Sequence, residues 1–319
     1  MRTLIVGCGN ISATHIDALQ KLGHNIVAIC DIEKAKAETI KECYSLNANI
    51  YEDYIEMLDN ESADVVHILT PHYLHAEMVI EVLGRNINCL CEKPLFIKEE
   101  EFGLIENAVK GSNAQLGVCF QHRFMEANKY IKGRIDEEGI LGASAFLSWS
   151  RGADYYSSSS WRGKLETEGG ALLINQAIHT IDQLIWFLGE PDEVEYSIHN
   201  RSLKGIIDGE DTAELYFIYK DGKRAQLFAT NAAVANFSTL INVRTEREAY
   251  EFTSKHIFKG NNEISIMEHE LQLDSKSYWG YGHYYLIKDF YDCVKNNKKF
   301  SVDLYEGSKA VKLILKVYA

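Results

Sequence analysis

What the chain lacks narrows the field first. No apolar run in its 319 residues is long enough to cross a bilayer, and no charged-then-apolar leader follows Met1, so a soluble, cytoplasmic protein is expected. Basic charge is in deficit. With 33 lysines and arginines against 46 aspartates and glutamates, the net charge of −13 argues against nucleic acid or an anionic membrane as the main partner, since either would select for a basic face. Seven cysteines (Cys8, Cys30, Cys43, Cys89, Cys91, Cys119 and Cys293) form no C-x-x-C pair and are odd in number. Several lie in apolar runs, which indicates buried reduced thiols rather than a disulfide framework or a zinc site, and no metal is expected. There is no internal repeat and no disordered tail, and the serines at 157–160 are too few to make a linker.

What is present suits two domains, taken as 1–120 and 121–319. The first third alternates short apolar runs (3–6, 25–30, 65–69, 87–91 and 115–120, with a weak one at 49–51) with helical patterns at 12–22, 33–44, 74–83 and 99–109. That order predicts a parallel sheet wound on both faces. After about Gln121 the pattern changes: a helix at 126–137, an extended run at 143–150, a polar loop, and a helix at 171–188. Strand candidates then follow at 194–200, 212–219, 224–230, 239–244, 249–253 and 264–271, with Asp221-Gly222 as a hairpin turn. Helices at 284–295 and 305–317 close an α/β second domain built on an antiparallel or mixed sheet.

Four motifs fall where such a sheet presents its ligands, at the carboxyl ends of strands. Gly7-Cys8-Gly9-Asn10-Ile11-Ser12 joins the first strand to the first helix, and its two glycines permit a tight turn and close approach of a pyrophosphate to the helix N-terminus. Ser12 replaces the third glycine of G-x-G-x-x-G. Asp31 ends the second strand 24 residues after Gly7, where a carboxylate accepts from the adenosine ribose hydroxyls and repels a 2′-phosphate. Ile32 offers no compensating cation, so NAD is favoured, with NADP left open by Lys34 and Lys36; the competing reading of Asp31 is a helix N-cap. Thr70-Pro71 and His75 follow the next strand, where a cap and a first-turn proline are a sufficient structural account. Cys91-Glu92-Lys93-Pro94 then ends an apolar run, which delivers Lys93 either to the cofactor crevice or, more plainly, out of a strand terminus as a snorkelling cation.

The second constellation is 168–182, Glu-Gly-Gly-Ala-Leu-Leu-Ile-Asn-Gln-Ala-Ile-His-Thr-Ile-Asp. On one continuous helix Asn175, His179 and Asp182 share a face among apolar neighbours. A satisfied buried histidine is the ordinary explanation of such a stripe. Lys93 in the same chain favours a working one.

These residues resemble the Gfo/Idh/MocA family of NAD(P)-dependent sugar and cyclitol oxidoreductases over nearly the whole chain: the glycine turn with His15 after it, Thr70-Pro71 and His75, Glu92-Lys93-Pro94, Gln121-His122-Arg123-Phe124, the 169–182 helix, and Gly282-His283. The resemblance implies a Rossmann domain paired with an α/β domain whose large open, mostly antiparallel sheet often mediates dimer or tetramer contacts. It implies that Lys93 and His179 work on a substrate hydroxyl. Trp161-Arg162 resembles an element near the nicotinamide or substrate, though loop packing also accounts for Trp161. Arg123, Arg162 and His283 are candidates for holding substrate groups. Many members carry aspartate where this chain has Asn175; an amide there orients the ring without supplying charge, and an altered histidine pKa is the expected consequence. The resemblance also admits NAD-dependent glycosidases that oxidise transiently, and regulators that bind dinucleotide without catalysis but need not keep Lys93 and His179.

Overall fold

Strands buried along nearly their full length, β1 (Arg2–Val6), β2 (Asn25–Cys30), β4 (Val65–Ile68) and β5 (Asn88–Cys91), require cover on both faces. In the computed structural model, which describes residues 1–266 and 281–319, they pair in parallel with β3 (Asn49–Tyr51) and β6 (Leu116–Val118) in the order β3-β2-β1-β4-β5-β6. Helices α1 (Ser12–Lys21), α2 (Lys34–Cys43), α3 (Tyr54–Asn60), α4 (His75–Gly84) and α5 (Glu99–Gly111) connect them. Helix α3 is an addition to the expected set, although its signal is in the sequence: Asp53 caps it by accepting from the N–H groups of Ile55 and Glu56. Cys8, Cys30, Cys89, Cys91 and Cys119 are buried and none of the seven cysteines is paired.

The chain divides into two units, the first made of Met1–Gln121 and the described part of Leu271–Ser308, the second of the described part of His122–Glu270 and Lys309–Ala319. The second region read from the sequence as 121–319 therefore gives up a piece to the first. The piece is α9 (Gly282–Lys295), and the reason is its inward face: Leu286, Ile287, Phe290 and Tyr291 are buried, and Tyr291 bonds to strands β1 and β4.

The second unit carries α6 (Glu126–Glu138), β7 (Ile140–Ser148), α7 (Ala153–Ser157), α8 (Ile178–Leu188), β8 (Glu193–His199), β9 (Thr212–Ile218), β10 (Arg224–Thr230), β11 (Leu240–Thr245), β12 (Ala249–Phe252), β13 (Ile257–Lys259) and β14 (Asn262–Ile264). Its eight strands run β14-β13-β12-β11-β7-β10-β9-β8, with β7 and β10 parallel and the other pairs antiparallel. Alternation decides the faces: Ala213, Leu215 and Phe217 of β9 and Ala225, Leu227 and Ala229 of β10 point inward, while Tyr216 and Phe228 stay exposed. The strand expected at 264–271 is replaced by β13 and β14 up to Ile264, and residues 267–271 of that expectation lie outside the described residues. No helix among the described residues is long and apolar enough to cross a membrane.

A chain of buried polar side chains runs through the first unit. Thr3 Oγ1 meets Tyr291 Oη at 2.8 Å, Tyr291 Oη meets His67 Nε2 at 3.0 Å, and His67 Nδ1 meets His15 Nδ1 at 2.9 Å. His15 Nε2 then meets Glu92 Oε1 at 3.1 Å. A carboxylate only accepts, so His15 donates from Nε2, accepts at Nδ1 from His67, and leaves His67 Nε2 to accept from Tyr291. Both rings are satisfied as neutral imidazoles, in line with burial, which pushes the pKa of each downward. His283 Nε2 reaches Glu92 Oε1 at 3.3 Å, and the Lys93 N–H reaches Oε2 at 3.2 Å. Burial alone would raise the Glu92 carboxyl, but the bonds from His15 and His283 outweigh it and hold the group well below the usual carboxylate range. The donor atoms of His15, Glu92 and Cys119 lie within 4.8 Å of one another, as in a metal site. Burial first, then the Glu92 charge, pushes the Cys119 thiol up, and both His15 nitrogens are hydrogen-bonded, to His67 and to Glu92.

Removing one link leaves buried partners unsatisfied. Tyr291→Phe should lower stability by about 1 to 3 kcal/mol, since both His67 Nε2 and Thr3 Oγ1 lose a bond. Urea unfolding followed by circular dichroism measures this, and an unchanged midpoint would show that the chain of bonds contributes nothing to holding α9.

Candidate functional site

In the first unit, the segments after β1, β2, β4 and β5 emerge side by side, because these four strands are neighbours in the sheet. The order reverses between β1 and β4, the point at which open α/β sheets bind ligands. Gly7 sits at φ +98°, and a Cβ there would lie 2.6 Å from the Leu69 carbonyl oxygen, so only glycine allows the turn to pack against the segment after β4. Gly9 has open space where its Cβ would be, and Gly9 and Asn10 are exposed. Helix α1 begins after Ile11 with no side-chain cap and no acidic residue in its first turn, which leaves its positive end available to an anion. Ser12, fully buried, donates to the Gly9 carbonyl and closes the turn.

Asp31 accepts from the Cys8 N–H at 2.8 Å and the Glu33 N–H at 2.9 Å, tying the end of β2 to the glycine turn. Each oxygen keeps a lone pair for a ribose hydroxyl. It is not the cap of α2; that position belongs to Glu33, whose side chain makes no cap bond. Ile32 is 84% exposed and Lys36 is engaged with Glu33 at 2.5 Å. Thr70 Oγ1 turns to Met78 Sδ rather than capping a helix. His75 bridges the loops, with Nδ1 2.7 Å from the Pro94 carbonyl and Nε2 2.8 Å from that of Thr70. Burial pushes the His75 pKa down, so the neutral ring donates to one of these two carbonyls and lies against the other. Lys93 is half-buried, directly after Glu92, and its peptide bond to Pro94 is cis. His283, a substrate candidate from the sequence, is instead buried in this unit against Glu92, because α9 packs here.

In the second unit, the expected continuous helix is broken in two: a π-helical turn over Leu172–Ala177 precedes α8. The stripe is divided between two helical forms, Asn175 on the π-helical turn and His179 and Asp182 on α8. Asp182 faces inward, 1% exposed, and binds Arg123 through two bonds, Nε to Oδ2 at 2.9 Å and Nη2 to Oδ1 at 2.7 Å. Arg123, also a substrate candidate, is thus the buried partner of Asp182. Asn175 and His179 stay partly exposed among buried neighbours. The His179 ring stacks on His122 with centroids 4.6 Å apart, and His122 Nδ1 meets Gln183 Oε1 at 3.2 Å.

The π-helical turn is anchored at its start. Glu210 accepts from the Leu173 N–H at 2.7 Å and the Tyr318 hydroxyl at 2.8 Å, and Gly170, at φ +140°, leaves room for the Tyr318 ring that a Cβ would strike. Asn175 donates through Nδ2 to Glu168 Oε1 at 2.5 Å and to the Tyr155 hydroxyl at 3.4 Å. Arg162 lies over the Tyr155 ring at 4.6 Å and the Trp161 ring at 5.4 Å and donates to Ser158. Sequence reasoning assigned no role to His122, Tyr155 or Glu168. For Glu168 a signal existed, an acidic residue directly before Gly169-Gly170 and an apolar stretch, where a charge needs a partner.

Residues 1–120 match the oxidoreductase family with NAD-binding Rossmann fold, and residues 133–251 match the GFO/IDH/MocA C-terminal domain. Among curated relatives, the chain is 28% identical over 189 residues to inositol 2-dehydrogenase of Salmonella typhimurium, covering 58% of this chain and 54% of that protein, so the match spans about half of the relative's length. It is 22% identical over 280 residues to glucose-6-phosphate 3-dehydrogenase of Bacillus subtilis, covering 83% and 78%. Among solved structures, the WlbA dehydrogenase from Bordetella pertussis in complex with NADH and UDP-GlcNAcA superposes with a TM-score of 0.89 at 24% identity, over 100% of this chain and 94% of that one. A levoglucosan dehydrogenase in complex with NADH and levoglucosan gives 0.85 at 20%, over 98% and 94%. With both of its domains matched in order, the chain belongs to the Gfo/Idh/MocA oxidoreductase family.

Proposed function

We propose that this protein is an NAD-dependent dehydrogenase that moves a hydride between nicotinamide and a secondary alcohol carbon of a sugar, cyclitol, sugar acid or nucleotide sugar. The observation that carries the reading is the alignment of the glycine turn, Asp31, Thr70-Pro71 and Glu92-Lys93 after four adjacent parallel strands. The names of the relatives, dehydrogenases of inositol, glucose 6-phosphate and levoglucosan, support the substrate class.

The residues present fit the dinucleotide. The open space over Gly9 and the uncapped start of α1 suit a pyrophosphate, around which Gly7, Asn10 and Ile11 would form the turn, and Asp31 would accept from the ribose hydroxyls. Thr70, Pro71, Lys93, Trp161 and Arg162 would complete the cofactor contacts; Glu92, expected among them, is turned to His15 and His283 and holds the Lys93 backbone, and His75 lies between the Thr70 and Pro94 carbonyls. When bound, nicotinamide supplies the hydride acceptor. Oxidation of the alcohol also releases a proton. His179 takes it from the hydroxyl as general base, and Lys93 donates to the same oxygen and stabilises its developing charge, roles that rest on the family motifs. Asn175 and Arg162 hold substrate groups; Arg123 and His283 are left out because Asp182 and Glu92 engage them.

The first 120 residues carry most of the cofactor contacts and Lys93, and the second domain carries most of the substrate groups and the subunit contacts. We place the protein in the cytoplasm, supported by seven unpaired cysteines. Phe146 and Phe228 face each other across β7 and β10 on the exposed side of the sheet, with Tyr216 diagonal to Phe228. This apolar patch supports a homodimer or homotetramer.

NAD should bind more tightly than NADP, and Asp31→Ser combined with Ile32→Arg should narrow or reverse the preference; a fluorescence titration in which the unaltered protein prefers NADP would refute the assignment. In a screen of sugars, cyclitols, uronates and nucleotide sugars read by NADH absorbance, a dehydrogenase accumulates NADH, whereas a glycosidase leaves the bulk NAD unreduced. On the substrate so found, Lys93→Ala should lower kcat on the order of 10² to 10³-fold while NAD binding survives. Near-normal turnover would reduce Lys93 to a strand-end cation. Light scattering should show a dimer or larger, and Phe228→Glu should shift it toward monomer.

A further inference from the structure

Asn175 stands where many members of the family carry an acid, yet its surroundings do contain one. Glu168 is 0% exposed. One of its oxygens accepts from the Gly163 N–H at 2.5 Å, which pins the polar loop, and the other accepts from Asn175 Nδ2, also at 2.5 Å. The Asn175 amide is therefore not ambiguous in orientation. A carboxylate offers no proton, so the NH₂ end must face Glu168 and the carbonyl end must face the other way. Glu168 is sealed in the protein while Asn175 is partly exposed, so the acceptor end is the one turned away from the buried acid.

We propose that Glu168 is a positioning residue: it captures the Asn175 amide by its N–H₂ and so fixes position 175 as a hydrogen-bond acceptor, supplying from behind the negative charge that relatives carry at 175 itself. The pair is a carboxylate and an amide with their places exchanged. An aspartate introduced at 175 would meet a second carboxylate at contact distance, and two such groups cannot both ionise cheaply. The neighbours offset the clash only in part, through the Tyr155 hydroxyl 3.4 Å from Asn175 Nδ2. Tyr155, Tyr156 and Tyr318 are phenols that burial raises above their usual pKa, and Glu210 is a buried acid whose pKa burial also raises. The nearby cations, Arg151 and Arg162, stack on the Tyr155 ring.

This inference rests on the proposed role of the 175–179 segment, and its test is read with and without turnover. In the protein without cofactor, ¹³C-carboxyl NMR of Asn175→Asp should show a carboxyl titrating well above the usual range, because one proton is shared. In the exchange variant Glu168→Gln/Asn175→Asp the new amide at position 168 donates to the new carboxylate at position 175, and that carboxyl should titrate at or below the usual range. A normal titration in Asn175→Asp would overturn the pairing whether or not a substrate is known. With turnover, Glu168→Gln and Asn175→Asp should each lose roughly 10- to 100-fold in kcat with KM for NAD unchanged, the range for removing an outer partner of a working group. The exchange variant should recover most of it. A folded exchange variant that stays as impaired as the single ones, or a fully active Glu168→Gln, would show Glu168 to be loop packing alone. Should Glu168→Gln fail to fold, Asn175→Asp and the exchange variant decide. If the unaltered protein oxidises nothing in the screen, the functional reading fails while the titration still judges the pair.

Discussion

The buried carboxylate of Glu92 is the constraint on which the first unit depends. It terminates β5, and it can exist as an anion in the interior only because donors converge on it: His15 from α1, His283 from α9 and the backbone N–H of Lys93. Its acceptor-only character then propagates outward. His15 must donate to it, so His67 must donate to His15, so Tyr291 must donate to His67. One charge thus dictates two histidine tautomers, the docking of a helix drawn from the far end of the chain, and the position of the backbone that presents Lys93. His75, wedged between the carbonyls of Thr70 and Pro94, fixes the same loop from its other side.

The second unit solves a similar problem with different parts. Its polar groups lie on a segment that is otherwise apolar, and a regular helix would set Asn175, His179 and Asp182 on one face. The segment instead opens with a π-helical turn, held at its start by Glu210 and by the space Gly170 leaves for Tyr318; Asn175 lies on that turn, and His179 and Asp182 lie on α8. Asp182 goes inward to Arg123 and becomes framework. Asn175 and His179 stay accessible, one held by Glu168 and the other stacked on His122. Within eight positions the segment thus holds one polar residue that is framework and two that are partly exposed.

Much of this was legible in the sequence, for identifiable reasons. Strand-turn-helix punctuation marked the glycine turn, and the length of the apolar runs marked the parallel sheet, because fully buried strands must read as continuous hydrophobic segments. The alternation in β9 and β10 marked the half-exposed sheet equally well. What the sequence could not show were the tertiary partners of its motif residues. Arg123 and His283 look like ligand-holding residues in a motif, and the fold sets each against an internal carboxylate distant in sequence, Asp182 59 residues away and Glu92 191 residues away. The assignment of α9 to the first unit is of the same kind. So is the π-helical turn, since a period-3.6 reading cannot register one inserted residue.

Both units thus use a buried acid that binds no ligand in the proposed reaction, Glu92 next to Lys93 and Glu168 against Asn175. Stability alone is a weak reason to keep such groups, because replacing buried charged clusters by well-packed apolar side chains is often neutral or favourable. Direction is a stronger one. A hydroxyl or a neutral imidazole can donate or accept and so permits several arrangements of its neighbours, whereas a carboxylate permits a single polarity for each bond it receives. A general base and an electrostatic donor need their hydrogen-bond polarity settled before substrate arrives, since reorganisation during the reaction adds to the barrier. In this chain the two anions that settle it are devoted to orientation, and the residues that proton transfer would use do not carry that duty.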